Sequence, residues 1–114
     1  MDWAEFIAEC IPEPVTVQLE PYQGTSGYGQ PVYGPPADLA PCVVEDTRRL
    51  VRVQTQDAAG AEQVSSTTVY GPLATVPAGS RITIPGRPAA RVLAVARNED
   101  HGLGLPSHLE LSLE

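Results

Sequence analysis

The sequence predicts an all-β fold: a small antiparallel β-barrel of six to seven strands, with a long early loop and a short N-terminal helix. Three observations carry that expectation. Short segments in which apolar and polar residues alternate recur between turn signals, the spacing of sandwiches and small barrels. Pro and Gly supply 12 and 10 of the 114 residues without a collagen period, which excludes long helices and demands many turns. Hydrophobic residues make up 42% and charged residues 18%, the balance of a folded chain and not of a disordered one. A chain of this size buries about two-thirds of its unfolded surface, enough for one core. Residues 1–114 are therefore read as a single domain, and closure into a barrel is favoured because it hides the edges of so few strands.

In chain order, residues 1–11 form the helical segment. Trp3, Phe6, Ile7 and Cys10 fall at i, i+3, i+4 and i+7 on one helical face, and Asp2 with Glu5 three residues later reads as an N-cap. So short a helix must pack on something. Pro12 and Pro14 end it, and residues 13–20 hold the first strand, with Val15, Val17 and Leu19 alternating with Thr16, Gln18 and Glu20. Residues 21–41, rich in Pro, Gly and Tyr, read as one long loop without regular structure, the kind that in a compact domain is functional or disordered.

The rest of the barrel is expected over residues 42–114. Cys42 to Glu45 and Arg48 to Thr55 read as strands around a turn at Asp46-Thr47. Asp57-Ala58-Ala59-Gly60 then closes a hairpin whose return strand is Glu62 to Tyr70. Gly71-Pro72 ends that strand, and Pro77-Ala78-Gly79-Ser80 turns into Arg81 to Ile84. Pro85-Gly86 occupies the central pair of a type II turn. Arg91 to Arg97 is apolar on both faces, as in a central strand, and Leu109, Leu111 and Leu113 alternate with Glu110, Ser112 and Glu114 in the last one.

Fourteen acidic residues against seven Arg and no Lys leave a net charge of −7. No apolar run approaches the ~20 residues that span a bilayer, and the acidic start lacks the basic region of a signal peptide, so a soluble intracellular product is expected. Cys10 and Cys42 stand outside any CxxC spacing and are expected to be reduced, structural thiols.

No cofactor, metal or catalytic group is expected. His101 and His108, with Glu99 and Asp100 beside the first, fall short of the three or four convergent ligands of a zinc site. Cys42 and the Ser65-Ser66 pair carry no nucleophile motif, and the Gly-containing stretch from Gly24 to Gly29 lacks the Lys and following helix of a phosphate loop. Arg48, Arg49 and Arg52 form one basic cluster, suited to ion pairs at an interface.

Several stretches in order carry a family resemblance: YGQPVYGPP at Tyr28 to Pro36, SSTTVYGPL at Ser65 to Leu73, PAGSRITIPGRPA at Pro77 to Ala89, Val92 with Val95, and a Leu-Glu-Leu ending at Leu109 to Leu111. From Val15 onward the chain resembles the head-to-tail stopper, or head completion, proteins of long-tailed bacteriophages. The helical segment has no counterpart in that pattern. The resemblance implies a structural virion protein at the neck, assembled in the host cytoplasm. It would form a homo-oligomeric ring, six-fold favoured over twelve-fold, that lies under the portal and adaptor proteins and above a tail terminator or tail tube. The ring would close the filled capsid and pass double-stranded DNA without sequence-specific contact; no membrane is involved.

On that resemblance the 21–41 loop faces the channel, with Tyr22, Gln23, Gly24, Gly27, Tyr28, Gly29, Gln30 and Tyr33 as gating residues. Gly supplies mobility and Tyr supplies stacking surface between neighbouring loops. A negative ring wall would repel phosphate and let DNA slide. Trp3, Phe6, Ile7, Arg48, Arg49 and Arg52 are expected at subunit or adaptor contacts. The alternative is a small β-barrel adapter that binds a protein or peptide through its Tyr- and Pro-rich loop. A third reading, an enzyme built on His101, His108 and Asp100, lacks ligands.

Overall fold

The structure is a computed structural model that describes residues 2–55 and 59–114. Among these the chain forms one helix and ten strands: α1 (Trp3–Cys10), β1 (Val15–Glu20), β2 (Tyr22–Thr25), β3 (Pro31–Tyr33), β4 (Ala37–Glu45), β5 (Arg49–Arg52), β6 (Glu62–Ser65), β7 (Thr67–Gly71), β8 (Arg81–Thr83), β9 (Ala90–Asn98) and β10 (His108–Leu113). Six of them close into an antiparallel barrel in the order β1, β4, β7, β10, β9, β8, while β2–β3 and β5–β6 are separate two-stranded sheets. The expected small all-β barrel is the fold.

Alternation fills the barrel. Val17, Leu39, Val69, Leu111, Val92 and Ile82, one from each barrel strand, are buried in a common core. Strand β9 is buried on both faces, as its apolar run implies. Leu93 points away from that core and is covered beside the segment after β5, where Gln54 N donates to Leu93 O at 2.8 Å. The Pro85-Gly86 turn forms as expected, with Arg87 N donating to Ile84 O at 3.0 Å and Gly86 at φ +80°. In YGPL the glycine is required by close approach: a Cβ on Gly71 would sit 3.0 Å from Cys42 Sγ and 3.4 Å from Leu39 Cδ2. Burial also pushes the Cys42 thiol up to about 12, and its Sγ donates to Leu39 O.

The helix begins where its cap predicts, since Asp2 Oδ1 accepts from Glu5 N at 2.8 Å. Trp3 and Ile7 are buried. The Trp3 ring stacks on His108 at 5.1 Å between centroids, and its Nε1 donates to Pro41 O at 2.7 Å. Cys10 leaves the buried face and is exposed at the helix end.

Three expectations are corrected. Residues 21–41 are not a structureless loop: β2, β3 and the first part of β4 lie within them. Gly and Pro mask the strand pattern there because each occupies an irregular position. Gly24, at φ +118°, falls where the β2–β3 register shifts, and Pro41 lies where the β1–β4 register shifts, so its missing N–H interrupts no regular ladder. Second, Glu62 to Tyr70 is two strands. The chain leaves β6 at Ser66, whose N donates to Leu113 O at 3.3 Å, and enters the barrel as β7. Third, Arg48 to Thr55 is strand only over Arg49–Arg52. Of the expected 57–60 turn, Asp57 and Ala58 lie outside the described residues, while Gly60 N donates to Val53 O at 2.9 Å.

Leu111→Ala should destabilise the protein by about 2–5 kcal/mol in denaturant titration, because the fully buried side chain leaves a cavity in the closed barrel. A second expectation concerns acid. Arg87, and after it the Thr67 hydroxyl, hold the Asp46 carboxyl at about 2, below its ordinary 3.8. A carboxylate lowered on folding stabilises the native state above its unfolded value, so this contribution should fade as pH falls from about 3.8 toward 2. Asp46→Asn should flatten stability against pH across that window, read from unfolding midpoints.

Candidate functional site

Strands β1 and β4 pair as far as Leu19 and Ala37, and the same two chain directions then continue beyond the barrel as β2 and β3. Gly34 N donates to Pro21 O at 2.8 Å across the junction, and Tyr22 pairs with Tyr33, Thr25 with Pro31. Six residues of extended chain past Leu19 reach roughly 20 Å. That length is comparable to the elongation of the molecule, 46 × 27 × 26 Å. The segment is a two-stranded arm.

Its tip is a small hydrogen-bonded turn. Ser26 N donates to Gln30 O at 2.7 Å, Gly29 N to Ser26 O at 3.0 Å, and Ser26 Oγ accepts from the N–H groups of Tyr28 and Gln30. Gly29 stands at φ +78°, where a side chain would be strained. Tyr28 is 95% exposed.

The base is tied to the barrel. Tyr22 N donates to Ser80 Oγ at 3.0 Å, and the Tyr22 ring lies against Gly79, where a Cβ would meet it at 3.5 Å. Tyr33 meets Tyr22 edge-on at 6.4 Å. The Arg81 guanidinium sits 4.4 Å from the Tyr33 ring centre while its Nε and NH2 groups donate to the two oxygens of Glu20 at 3.2 and 2.6 Å. That bidentate contact holds the Glu20 carboxyl below its usual range. Between arm and barrel end lies a cleft of about 440 Å³, lined by Tyr22, Thr25 and Tyr33 on one side and Thr55, Gly79 and Arg91 on the other. The Thr55 hydroxyl is buried without a partner among the described residues.

The expected gating residues thus divide. Gly27, Tyr28, Gly29 and Gln30 form the tip, whereas Tyr22, Gln23, Gly24 and Tyr33 lie on the arm's strands, the two tyrosines packed at its base. Sequence reading missed Glu20, Gly79, Ser80 and Arg81 as anchors. Turn chemistry and alternation located the last three on a turn and strand, but their partners, Tyr22 and Glu20, lie about sixty residues away in sequence.

The expected interface residues divide too. Trp3 and Ile7 are packed within the chain's own fold, and Phe6 is half-buried. Arg49 pairs with Glu110 of β10. Arg48 and Arg52 are exposed, without a partner among the described residues. Among those residues no three His, Cys, Asp or Glu side chains gather as a metal site. His101 sits in a turn at φ +52°, and His108 is held between Trp3 and Tyr70. Ser65 Oγ donates to Leu113 O at 2.8 Å, the bond of a packed strand hydroxyl. No helix among the described residues is long and apolar enough to cross a membrane.

No known family, curated protein or solved structure matches this chain.

Arg81→Met removes both the Glu20 contact and the cation over Tyr33, leaving the arm's junction with fewer ties. The Gly34 amide should exchange with solvent at least about tenfold faster, equal to roughly 1.4 kcal/mol of local opening, while the Leu111 amide in the barrel should be unchanged. Equal acceleration at both amides would mean that Arg81 supports the barrel and not the arm.

Proposed function

We propose that this protein is a head-to-tail stopper of a long-tailed bacteriophage: a structural, non-catalytic ring subunit of the virion neck. Copies would assemble under portal and adaptor proteins, close the filled capsid and present the site where the tail attaches. The observation that carries the reading is the arm, a two-stranded extension anchored at its base by Arg81, Glu20 and Ser80 and ending in a Gly-flanked, fully exposed Tyr28. In a ring, such arms directed at the axis would narrow the opening, and their tips would meet through tyrosine faces. Flexibility at Gly27 and Gly29 would let the tips part for DNA. A net charge of −7 on every copy would surround the passage with a field that repels phosphate. The ordered stretches from Tyr28 to Leu111 that resemble stopper proteins support the same reading.

The adapter reading has one observation in its favour, the 440 Å³ cleft walled by Tyr22 and Tyr33. An adapter would bind isolated partner peptides there as a monomer, and Tyr33→Ala would weaken that binding. A stopper would bind adaptor-capped portal complexes.

Removing residues 26–29 should leave the barrel folded and phage particles assembled, but capsids should lose DNA after packaging. Nuclease-protected DNA per particle measures this. Full retention, or a neck map in which the arm points away from the axis, would remove the gate assignment; absence of the protein from purified particles would remove the stopper reading.

A further inference from the structure

The β5–β6 hairpin has one face turned down and one turned out. Val51 and the following Val53 are covered with Ser65, while Leu50 and its cross-strand partner Val64 stand in solvent, Leu50 at 66% exposure. Arg52 follows Leu50 in the outward alternation, and Arg48 is exposed immediately before the strand. They are exposed and unpartnered among the described residues, in a chain whose acidic residues outnumber its arginines two to one. Among the described residues this sheet contains no third strand.

A second patch has the opposite sign. Between α1 and the segment preceding β10 lies a groove of about 480 Å³ whose walls include Asp2, Leu73, Asp100 and Leu105. Leu105 is 58% exposed, and Glu5 and Glu9 are exposed on α1, which has no basic residue in its last turn. One patch is leucine and valine with two guanidiniums and a single carboxylate, Glu62, opposite Arg52 in register; the other is leucines beside carboxylates. Each supplies what the other lacks in charge, and both leave apolar side chains in water.

We propose that the outward face of the β5–β6 hairpin, Arg48, Leu50, Arg52 and Val64, docks on the acidic groove beside α1 of a second copy of this chain. Every copy then gives one patch and receives on another, so contact between unlike surfaces can repeat from copy to copy. The inference rests on the ring reading only for its setting, because other residues form the arm. Apolar contact supplies adhesion, and the charges select the register and make association sensitive to salt.

Sedimentation of the full chain tests this. Wild type should self-associate at low ionic strength, and association should weaken as salt rises toward about 1 M, where the Debye length falls to ~3 Å. Arg48→Glu with Arg52→Glu should weaken it roughly tenfold or more, and so should Glu5→Arg with Glu9→Arg. An equimolar mixture of the two double variants should associate again, since each restores the sign that the other has reversed. Thermal unfolding checks that both variants fold. A monomeric wild type at low salt, unaffected association in the first double variant, or a mixture that stays apart would overturn the proposal. Rings in particles carrying Arg48→Glu and Arg52→Glu would overturn this surface but leave the ring reading standing. Restored association in the mixture with no ring in particles would do the reverse.

Discussion

Closure of the barrel through β1 is the constraint on which the remaining structure depends. This six-residue strand pairs with β4 on one side and β8 on the other, joining segments that lie far apart in the chain. Without it the barrel would open into a sheet with two free edges. Val17 and Leu19 supply its inward face, and Gln18 and Glu20 its outward face, so one short alternation seals the backbone ladder and the core together. Gly71 shows how tight the closed interior is, since its lack of a side chain admits Cys42 and Leu39.

The arm follows from the same closure. Because β1 and β4 are neighbours joined by a single excursion, both continue past the rim without breaking their partnership. Leaving the barrel removes the core that would hold them, and two strands alone are marginal in water. Side chains at the rim compensate. Tyr22 leans on the Gly79 turn, Tyr33 lies under Arg81, and Arg81 returns to Glu20 on the strand from which the arm departs. These contacts grip the base, whereas among the described residues the hydrogen bonds of the tip come from its own backbone and Ser26. The arm thus has a firm root and a lightly held end.

Much of the barrel was legible in the sequence because period-two burial is a local signal. The alternations at Val15 to Leu19 and Leu109 to Leu113, the two-faced run around Leu93 and the Pro85-Gly86 turn all appear as read. The helix was legible through Asp2 and its apolar spacing. The arm was half legible. Composition marked residues 21–41 as unusual, yet Gly24 and Pro41 sit at shifts in register, which concealed β2, β3 and the start of β4. Pairing across the chain was not legible. Nothing local says that Arg81 answers Glu20, that Trp3 lies on His108, or that Arg49, of the three clustered arginines, is the one paired with Glu110. Residue types foretold which side chains could act; the closed topology decided which were already occupied.

Continuity of the arm with β1 and β4 has a mechanical consequence. Tension drawn along the arm enters the body at Glu20 and Ala37 and runs parallel to the ladders with β8 and β7. Hydrogen bonds in those ladders then bear the load in shear, many at once, instead of peeling apart singly. A pull on Tyr28 is thus transmitted to the staves of the cask before any hoop gives way.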